Sequence, residues 1–168
     1  MKSFLVTTAF AVLMAALAVA QPFQSKGEVE GWNVFYNEAT GGCFMEQSQG
    51  DAVVHLGTEA AMLGDGDELP FGFVALYTKE PTDVPPGDQV ELAIDVDGQA
   101  FSGTGVGASS GDYNGGYLVA NNPNFATALA DGKTMNIAVA NGNTVSVDLT
   151  GTKAAMDAVR TCQAAASN

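Results

Sequence analysis

Positive charge is scarce in this sequence. Its 168 residues include six Lys and Arg against 19 Asp and Glu, which gives a formal net charge of −13 at pH 7. A surface of this charge repels phosphate backbones and anionic lipid headgroups, and no basic stretch offsets it. The composition therefore predicts no nucleic-acid partner. Solubility explains the acidity most simply, and attraction to a cationic partner or to metal ions is the alternative.

Residues that carry redox, metal or nucleophilic chemistry are also few. Cys43 and Cys162 are the only cysteines, and His55 is the only histidine. The spacing excludes a C-x-x-C dithiol, and one histidine without neighbouring cysteine ligands does not make a zinc site. No G-x-S-x-G nucleophile motif is present. The sequence therefore predicts no cofactor, no metal ligand and no recognisable catalytic residue.

Two glycine-containing patterns resemble ligand loops but are incomplete. Asp95-Val96-Asp97-Gly98 begins like an EF-hand loop, yet Ala100 and Val106 occupy the positions of the required Gly and Glu. A tight hairpin turn at Asp97-Gly98 is the better interpretation. The glycine-rich segment 103–107 lacks the Lys of a phosphate-binding loop. Three acids are predicted to lie in a solvated loop, or to bind a cation weakly: Asp65, Asp67 and Glu68.

An apolar run begins the chain. Lys2 precedes a mostly apolar segment at 4–17, and Ala18-Val19-Ala20 has the A-x-A form of a signal-peptidase site. The run is too short for a transmembrane anchor, and polar residues follow it. We predict a signal peptide at 1–20 and a single β-rich domain at 21–168, periplasmic or secreted, with no membrane segment. That domain has 148 residues and keeps five basic against 19 acidic residues, a net charge of −14.

Two cysteines in an exported chain predict one structural disulfide. Cys43 lies near the start of the domain and Cys162 near its end. Closing so long a loop stabilises the folded state by roughly 4–5 kcal/mol if chain entropy is the main effect.

Short segments of alternating apolar and polar residues predict an antiparallel sheet. Val90, Leu92 and Ile94 show the alternation clearly. The segment 21–28 is predicted to be a lead-in, and the Gly- and Ser-rich segment 103–116 a mobile loop. Strands are predicted at 31–36, 43–47, 52–57, 71–78, 89–95, 99–102, 117–120, 135–140 and 144–149.

Two helices complete the prediction. Asn122 caps the first, with Pro123 at its first position and Gly132 after its end. The second helix, at 152–162, follows a strand and packs its 155–159 face on the sheet. Its predicted N-cap is Thr150 or Thr152, its solvent side carries Lys153, and Arg160 favours its C-terminal end. The fold class is mainly β: an antiparallel sandwich or partly closed barrel of about eight strands with two short helices, the second at the C-terminus.

Several segments, in this order, resemble the invasion-associated locus B family of exported bacterial proteins. They are Gly31-Trp32, Cys43-Phe44-Met45, the V-x-L-x-I-D of 90–95, Leu-Ala-Asp-Gly-Lys at 129–133, and V-D-L-T-G-T-K-A-A-M-D-A-V at 147–159. The most specific part is Leu149 to Val159. The resemblance implies a small periplasmic or secreted β-rich fold without an established catalytic site, so it assigns no functional residue.

The leading functional hypothesis is a non-enzymatic envelope protein that binds an unknown envelope protein or glycan. The alternative is a hydrolase or enzyme inhibitor whose site the sequence does not reveal. A pocket in which His55 meets two carboxylates would favour the hydrolase. An exposed apolar strip beside the glycine-rich segment would favour binding.

Overall fold

A computed structural model describes residues 23–57, 73–81, 83–120, 122–138 and 144–167. The predicted signal peptide, the acids Asp65, Asp67 and Glu68, and the turn at 141–143 lie outside these residues. The described elements are β1 Phe23–Val29, β2 Trp32–Asn37, β3 Gly42–Gln49, β4 Ala52–Gly57, β5 Phe73–Thr78, β6 Gln89–Val96, β7 Gln99–Ser110, β8 Tyr113–Val119, α1 Pro123–Asp131, β9 Thr134–Ala138, β10 Thr144–Asp148 and α2 Thr152–Ala166.

The ten strands form one sheet in the order β1-β2-β3-β4-β5-β8-β7-β6-β9-β10. Every neighbouring pair is antiparallel. Because β1 and β10 are the two ends of this order, the sheet is not closed. The predicted fold class is confirmed: the chain is mainly β and antiparallel, with two helices, the second at the C-terminus.

Side-chain contacts bring the two halves of the sheet together. At the end of β3, the Gln49 amide accepts a hydrogen bond from Asp148 N at 2.8 Å and donates one to Asp148 O at 2.9 Å. The Trp32 indole Nε1 donates to Thr150 O at 3.0 Å. The sheet therefore curls so that the end of β3 meets the end of β10, although the sheet is not closed.

The main core lies between the sheet and the two helices. From α2 it receives Ala155, Met156 and Val159, all fully buried, as the helical spacing predicts. Lys153 lies on the solvent side of α2, where its Nζ is 2.9 Å from Asp131 Oδ1. The largest buried side chains from the strands and α1 are Trp32, Met45, Val54, Leu56, Val96, Leu129, Met135 and Val147.

The predicted lead-in at 21–28 is wrong, because residues 23–29 form β1. Among the described strands it pairs with β2 alone, and its register shifts between Ser25 and Gly27. Most of its side chains are exposed. Only the two end residues, Phe23 and Val29, are half-buried, and the residues between them are exposed on both faces. Such an edge strand does not need alternating hydrophobicity, so its sequence carries no strand pattern.

The predicted mobile loop at 103–116 is also wrong. These residues form most of the β7–β8 hairpin, which turns at Gly111 and Asp112. The glycines here serve close packing rather than flexibility. At Gly115, a Cβ would overlap the carbonyl oxygen of Leu76 on the neighbouring β5. Glycine composition alone does not distinguish these two uses.

Of the two predicted helix N-caps, that of α1 is confirmed and that of α2 is wrong. The first is confirmed, because the Asn122 side chain accepts from Asn124 N at 2.9 Å. The second is wrong: Gly151, at φ 80°, is the N-cap of α2 and supplies no side-chain cap. Thr150 instead donates from its N and Oγ1 to Asp148 Oδ1, at 2.8 and 2.7 Å. The helix continues one turn beyond Cys162, so Arg160 lies in its interior and pairs with Asp157 at 2.9 Å.

Among the described residues, no helix has both the length and the apolar character needed to cross a membrane.

Candidate functional site

The strands bury side chains on both faces of one part of the sheet. On β3, Cys43 and Met45 face the main core, and Phe44 and Glu46 face the opposite side, because successive strand side chains alternate. A second, smaller cluster forms on that opposite face, separate from the main core. Its buried members are Phe44, Phe73 and Ala75, and Phe23, Phe35, Tyr77 and Tyr117 pack around them.

A cavity of about 560 Å³ opens on this face, and we call it the aromatic cleft. Its aromatic lining consists of Phe23, Phe44, Phe73, Tyr77, Tyr113 and Tyr117. Its polar lining consists of Asn37, Thr40, Glu46, Ser48 and His55, and Val53 and Ala75 complete it. Cavities of this size, apolar with a few converging polar groups, are typical of ligand sites.

Phe44 is the centre of the aromatic packing. Its ring centroid lies 5.0 Å from that of Phe23, edge-on, and 5.4 Å from that of Phe35, stacked. Phe73 lies 6.4 Å away, and the His55 imidazole 4.9 Å away. Aromatic pairs at such distances stabilise by about 0.5–1.5 kcal/mol beyond their burial. The floor of the aromatic cleft is therefore held in a fixed arrangement before any ligand arrives.

His55 and Glu46 form the charged centre of the aromatic cleft. They are directly opposite each other on β4 and β3, and His55 Nε2 lies 2.9 Å from Glu46 Oε2. Their side chains are 16% and 27% exposed. The Tyr77 ring flanks the imidazole at 5.5 Å. A neutral imidazole that donates from Nε2 leaves the carboxylate charged, with Oε1 available to a ligand.

Within the described part of the chain, no Lys or Arg lines the aromatic cleft. The basic residue beside it is Lys79, whose Nζ lies over the Tyr113 ring, 5.6 Å from its centroid. Glu46 is thus the carboxylate of the lining, and no lysine or arginine of the lining offsets it. An anionic ligand would meet repulsion from Glu46 and from the acidic chain as a whole.

The arrangement has part of the chemistry of a hydrolase. Ser48, His55 and Glu46 all line the aromatic cleft. Within the described residues, the imidazole meets a single carboxylate, that of Glu46, and no hydrogen bond joins Ser48 to His55. No group of three or more His, Cys, Asp or Glu in the described ranges could hold a metal ion.

The predicted disulfide is present and lies on the other side of the sheet. The sulfurs of Cys43 and Cys162 are 2.03 Å apart, which ties β3 to α2 across 119 residues of sequence. Gln163 reinforces the junction: its Oε1 accepts from Cys43 N at 2.9 Å and its Nε2 donates to Gly41 O at 3.1 Å. The cysteines are therefore structural and do not reach the aromatic cleft.

A second cavity, of about 600 Å³, lies between α2 and the strands β1 and β2, and we call it the helix groove. Lys26, Tyr36 and Cys162 are among its lining residues. The Lys26 Nζ lies 5.4 Å from the Tyr36 ring centroid. Most of the remaining lining is alanine and valine, so few polar groups converge there, and it is the weaker candidate for a ligand site.

The other sequence patterns have structural roles. Asp97 and Gly98 form the β6–β7 turn with φ values of 48° and 87°, so the hairpin interpretation is confirmed. The Asp97 carboxylate accepts from Lys133 N and Thr134 N at 2.8 and 3.2 Å. The glycine-rich segment 103–107 lies within β7.

Sequence reasoning placed His55 in a strand but missed the rings around it. The signal was available: Cys43-Phe44-Met45 and Phe73-Val74-Ala75-Leu76-Tyr77 are continuous apolar runs within strands. Such runs indicate burial on both faces rather than on one. Which further strands contribute rings follows from the strand order, which places β8 beside β5 and brings Tyr113 and Tyr117 to the same face.

Neither a known family model nor a curated protein matches the sequence. The fold is similar to that of invasion associated protein B. The crystal structure of that protein from Bartonella henselae superposes with a TM-score of 0.56 and 14% sequence identity. The match covers 84% of this chain and 99% of that chain. The resemblance noted from the sequence is thus confirmed as a similarity of fold, and at this identity it carries no residue role.

Proposed function

We propose that this chain is an exported, non-enzymatic binding protein and that the aromatic cleft is the surface that holds its partner. The observation that carries the proposal is the second apolar cluster, which lies on the sheet face opposite the main core. The cluster buries Phe44 and Phe73 outside the main core, and the half-buried rings of Tyr77 and Tyr117 beside them line the open aromatic cleft. Aromatic side chains are over-represented in protein interfaces because they bury large areas at low entropic cost.

The geometry supports binding over hydrolysis. Among the described residues, the imidazole of His55 meets one carboxylate, whereas two would favour the hydrolase. The aromatic cleft lies beside the glycine-rich segment 103–107, because Tyr117 of β8 lines the aromatic cleft and pairs with Val106 of β7. We take an envelope protein as the partner, and a glycan as the alternative that the test below separates.

Export is part of the same proposal. The disulfide between Cys43 and Cys162 fits an oxidising compartment. The name of the structural neighbour associates that protein with invasion, which is consistent with a non-enzymatic envelope protein. We propose cleavage after Ala20 and a single domain over 21–168. N-terminal mass analysis of the exported protein is expected to show Gln21 first, and a chain that keeps residues 1–20 would contradict this.

Capture from envelope extract tests the site. Ser48 is exposed and lines the aromatic cleft, whereas Ser146 is exposed on the edge strand β10 and is not among the residues that line the aromatic cleft. Ser48→Arg adds a long side chain at the aromatic cleft, and Ser146→Arg adds the same side chain and charge elsewhere. We expect the wild type and Ser146→Arg to retain the same partner and Ser48→Arg to lose it.

Circular dichroism confirms beforehand that both variants fold. Mass spectrometry of the retained material then identifies a protein partner, and digestion with glycosidases or proteases distinguishes it from a glycan. If folded Ser48→Arg retains the partner as well as Ser146→Arg does, the aromatic cleft is not the site.

A further inference from the structure

From the charge and shape of the aromatic cleft we infer that it recognises a basic side chain, a lysine or an arginine, of a partner protein. This inference rests on the proposed function and names the group that the site takes. Glu46 supplies a carboxylate next to aromatic ring faces, and no lysine or arginine among the described residues of the lining neutralises it. A cation over an aromatic face is attracted by the ring quadrupole, and partial removal of water strengthens that attraction.

The hydrogen bonding of Glu46 leaves room for such a cation. Its Oε2 is engaged by His55 Nε2 at 2.9 Å, and His55 is its one hydrogen-bond partner among the described residues. A donor with several N–H groups satisfies the remaining carboxylate oxygen. Guanidinium and ammonium groups are such donors, and their apolar stems would lie along the half-buried rings of Tyr77 and Tyr117.

Charge favours a protein over a glycan as the occupant of the aromatic cleft. Neutral sugars stack on aromatic rings and donate hydroxyl hydrogen bonds to a carboxylate, but only a cation adds charge–charge attraction to the Glu46 carboxylate. The chain as a whole has a net charge of −13, so it attracts basic protein surfaces over long distances and repels acidic ones. The local and the overall charge therefore favour the same occupant.

Two small probes isolate the effect of charge. n-Butylguanidinium reproduces the arginine side chain, and n-butylurea has nearly the same shape without the charge. Each is titrated into the folded protein at pH 8 and followed by NMR signals of the aromatic rings and of His55. We expect n-butylguanidinium to produce saturable shifts at Phe44, His55 and Tyr77, with an affinity about tenfold higher than that of n-butylurea.

Two charge-removing variants complete the test. Glu46→Gln is expected to abolish the preference for n-butylguanidinium, because it removes the charge and keeps the hydrogen-bonding shape. Glu91→Gln removes a charge at an exposed position on β6, outside the aromatic cleft, and is expected to leave the preference unchanged. The Thr104 hydroxyl donates to the Glu91 carboxylate at 2.8 Å, and the amide oxygen of the Glu91→Gln variant can still accept that hydrogen bond.

Equal affinities for the two probes, or an unchanged preference in Glu46→Gln, would overturn the inference. Either result would leave the proposed function standing if Ser48→Arg still loses the captured partner, and the digestions with glycosidases and proteases would then show whether the occupant is a glycan or a protein. If Ser48→Arg also keeps its partner, both the inference and the proposed site are wrong.

Discussion

His55 and Glu46 are cross-strand partners whose side chains meet at 2.9 Å on the face of the sheet opposite the main core. One residue earlier on β3, Met45 is fully buried in that core. A single pair of strands therefore stabilises the fold with one face and presents a polar pair among aromatic rings with the other. This arrangement is what makes the aromatic cleft a candidate site rather than part of the core.

The contact of α2 with the sheet is expected to be essential for folding. Val159 is fully buried, so Val159→Asp places an unpaired charge in the core. We expect a loss of about 3–5 kcal/mol of unfolding free energy, measured by denaturant titration. Lys153→Ala is the matched control on the exposed face, and it is expected to melt close to the wild type. A Val159→Asp protein with wild-type stability would contradict this docking of α2.

Close packing between β8 and β5 is expected to exclude a side chain at Gly115. A Cβ there would overlap the Leu76 carbonyl, so Gly115→Ala should lower the unfolding free energy by about 1–3 kcal/mol. At Gly103, no atom lies within 4 Å of the added Cβ. Gly103→Ala should therefore stay within about 0.5 kcal/mol of the wild type. Equal melting temperatures for the two variants would restore the flexible-loop interpretation.

The first turn of α2 holds a buried hydroxyl, that of Thr152. Thr152 Oγ1 makes no hydrogen bond among the described residues. Thr152→Val keeps the shape and removes the polar atom, so it should be neutral or stabilising by up to about 1 kcal/mol. Thr150→Val removes the hydroxyl that bonds Asp148 and should be destabilising. Thermal unfolding of the two variants gives the comparison, and a marked loss of stability in Thr152→Val would reveal a hydrogen bond to that hydroxyl.

Asp148 is expected to link stability to acid pH. Hydrogen bonds from the Thr150 hydroxyl and backbone N–H lower the pKa of Asp148 below the ordinary value of 3.8. A lowered pKa means that the contribution to stability is complete above 3.8 and is lost as the pH falls through the lower folded value. NMR titration of the Asp148 carboxyl carbon should show the low midpoint, and Thr150→Val should raise it. An ordinary midpoint in the wild type would contradict these hydrogen bonds.

The sequence predicted the elements whose local residue pattern is enough to define them. Alternation located β6 and β10, Asn122-Pro123 located α1, and helical spacing identified the buried face of α2. The sequence did not predict features that depend on contacts with another part of the fold. The glycine at 115 is explained only by Leu76 of β5, and the edge strand β1 buries too little to show a pattern. The cap of α2 was wrong because Thr150 turns to Asp148 instead of to the helix.

The candidate site was harder to predict for the same reason. His55 was conspicuous as the only histidine, but its partner Glu46 is fixed by the β3–β4 register. The rings of Tyr77 and Tyr117 reach the same face through the pairing of β5 with β8. Neither strand pairing can be predicted from local spacing. The sequence therefore indicates His55 as a candidate but does not show which side chains lie beside it in the fold.

The location of the partner on the aromatic cleft is tested most directly by oxidative footprinting of tyrosines. The chain has four tyrosines. Tyr77, Tyr113 and Tyr117 line the aromatic cleft, and Tyr36 lines the helix groove. The protein is exposed to hydroxyl radicals alone and with its captured partner, and oxidation of each tyrosine is measured by mass spectrometry. We predict strong protection of Tyr77, Tyr113 and Tyr117 with no change at Tyr36. Protection of Tyr36 with unchanged oxidation of the other three would contradict the account.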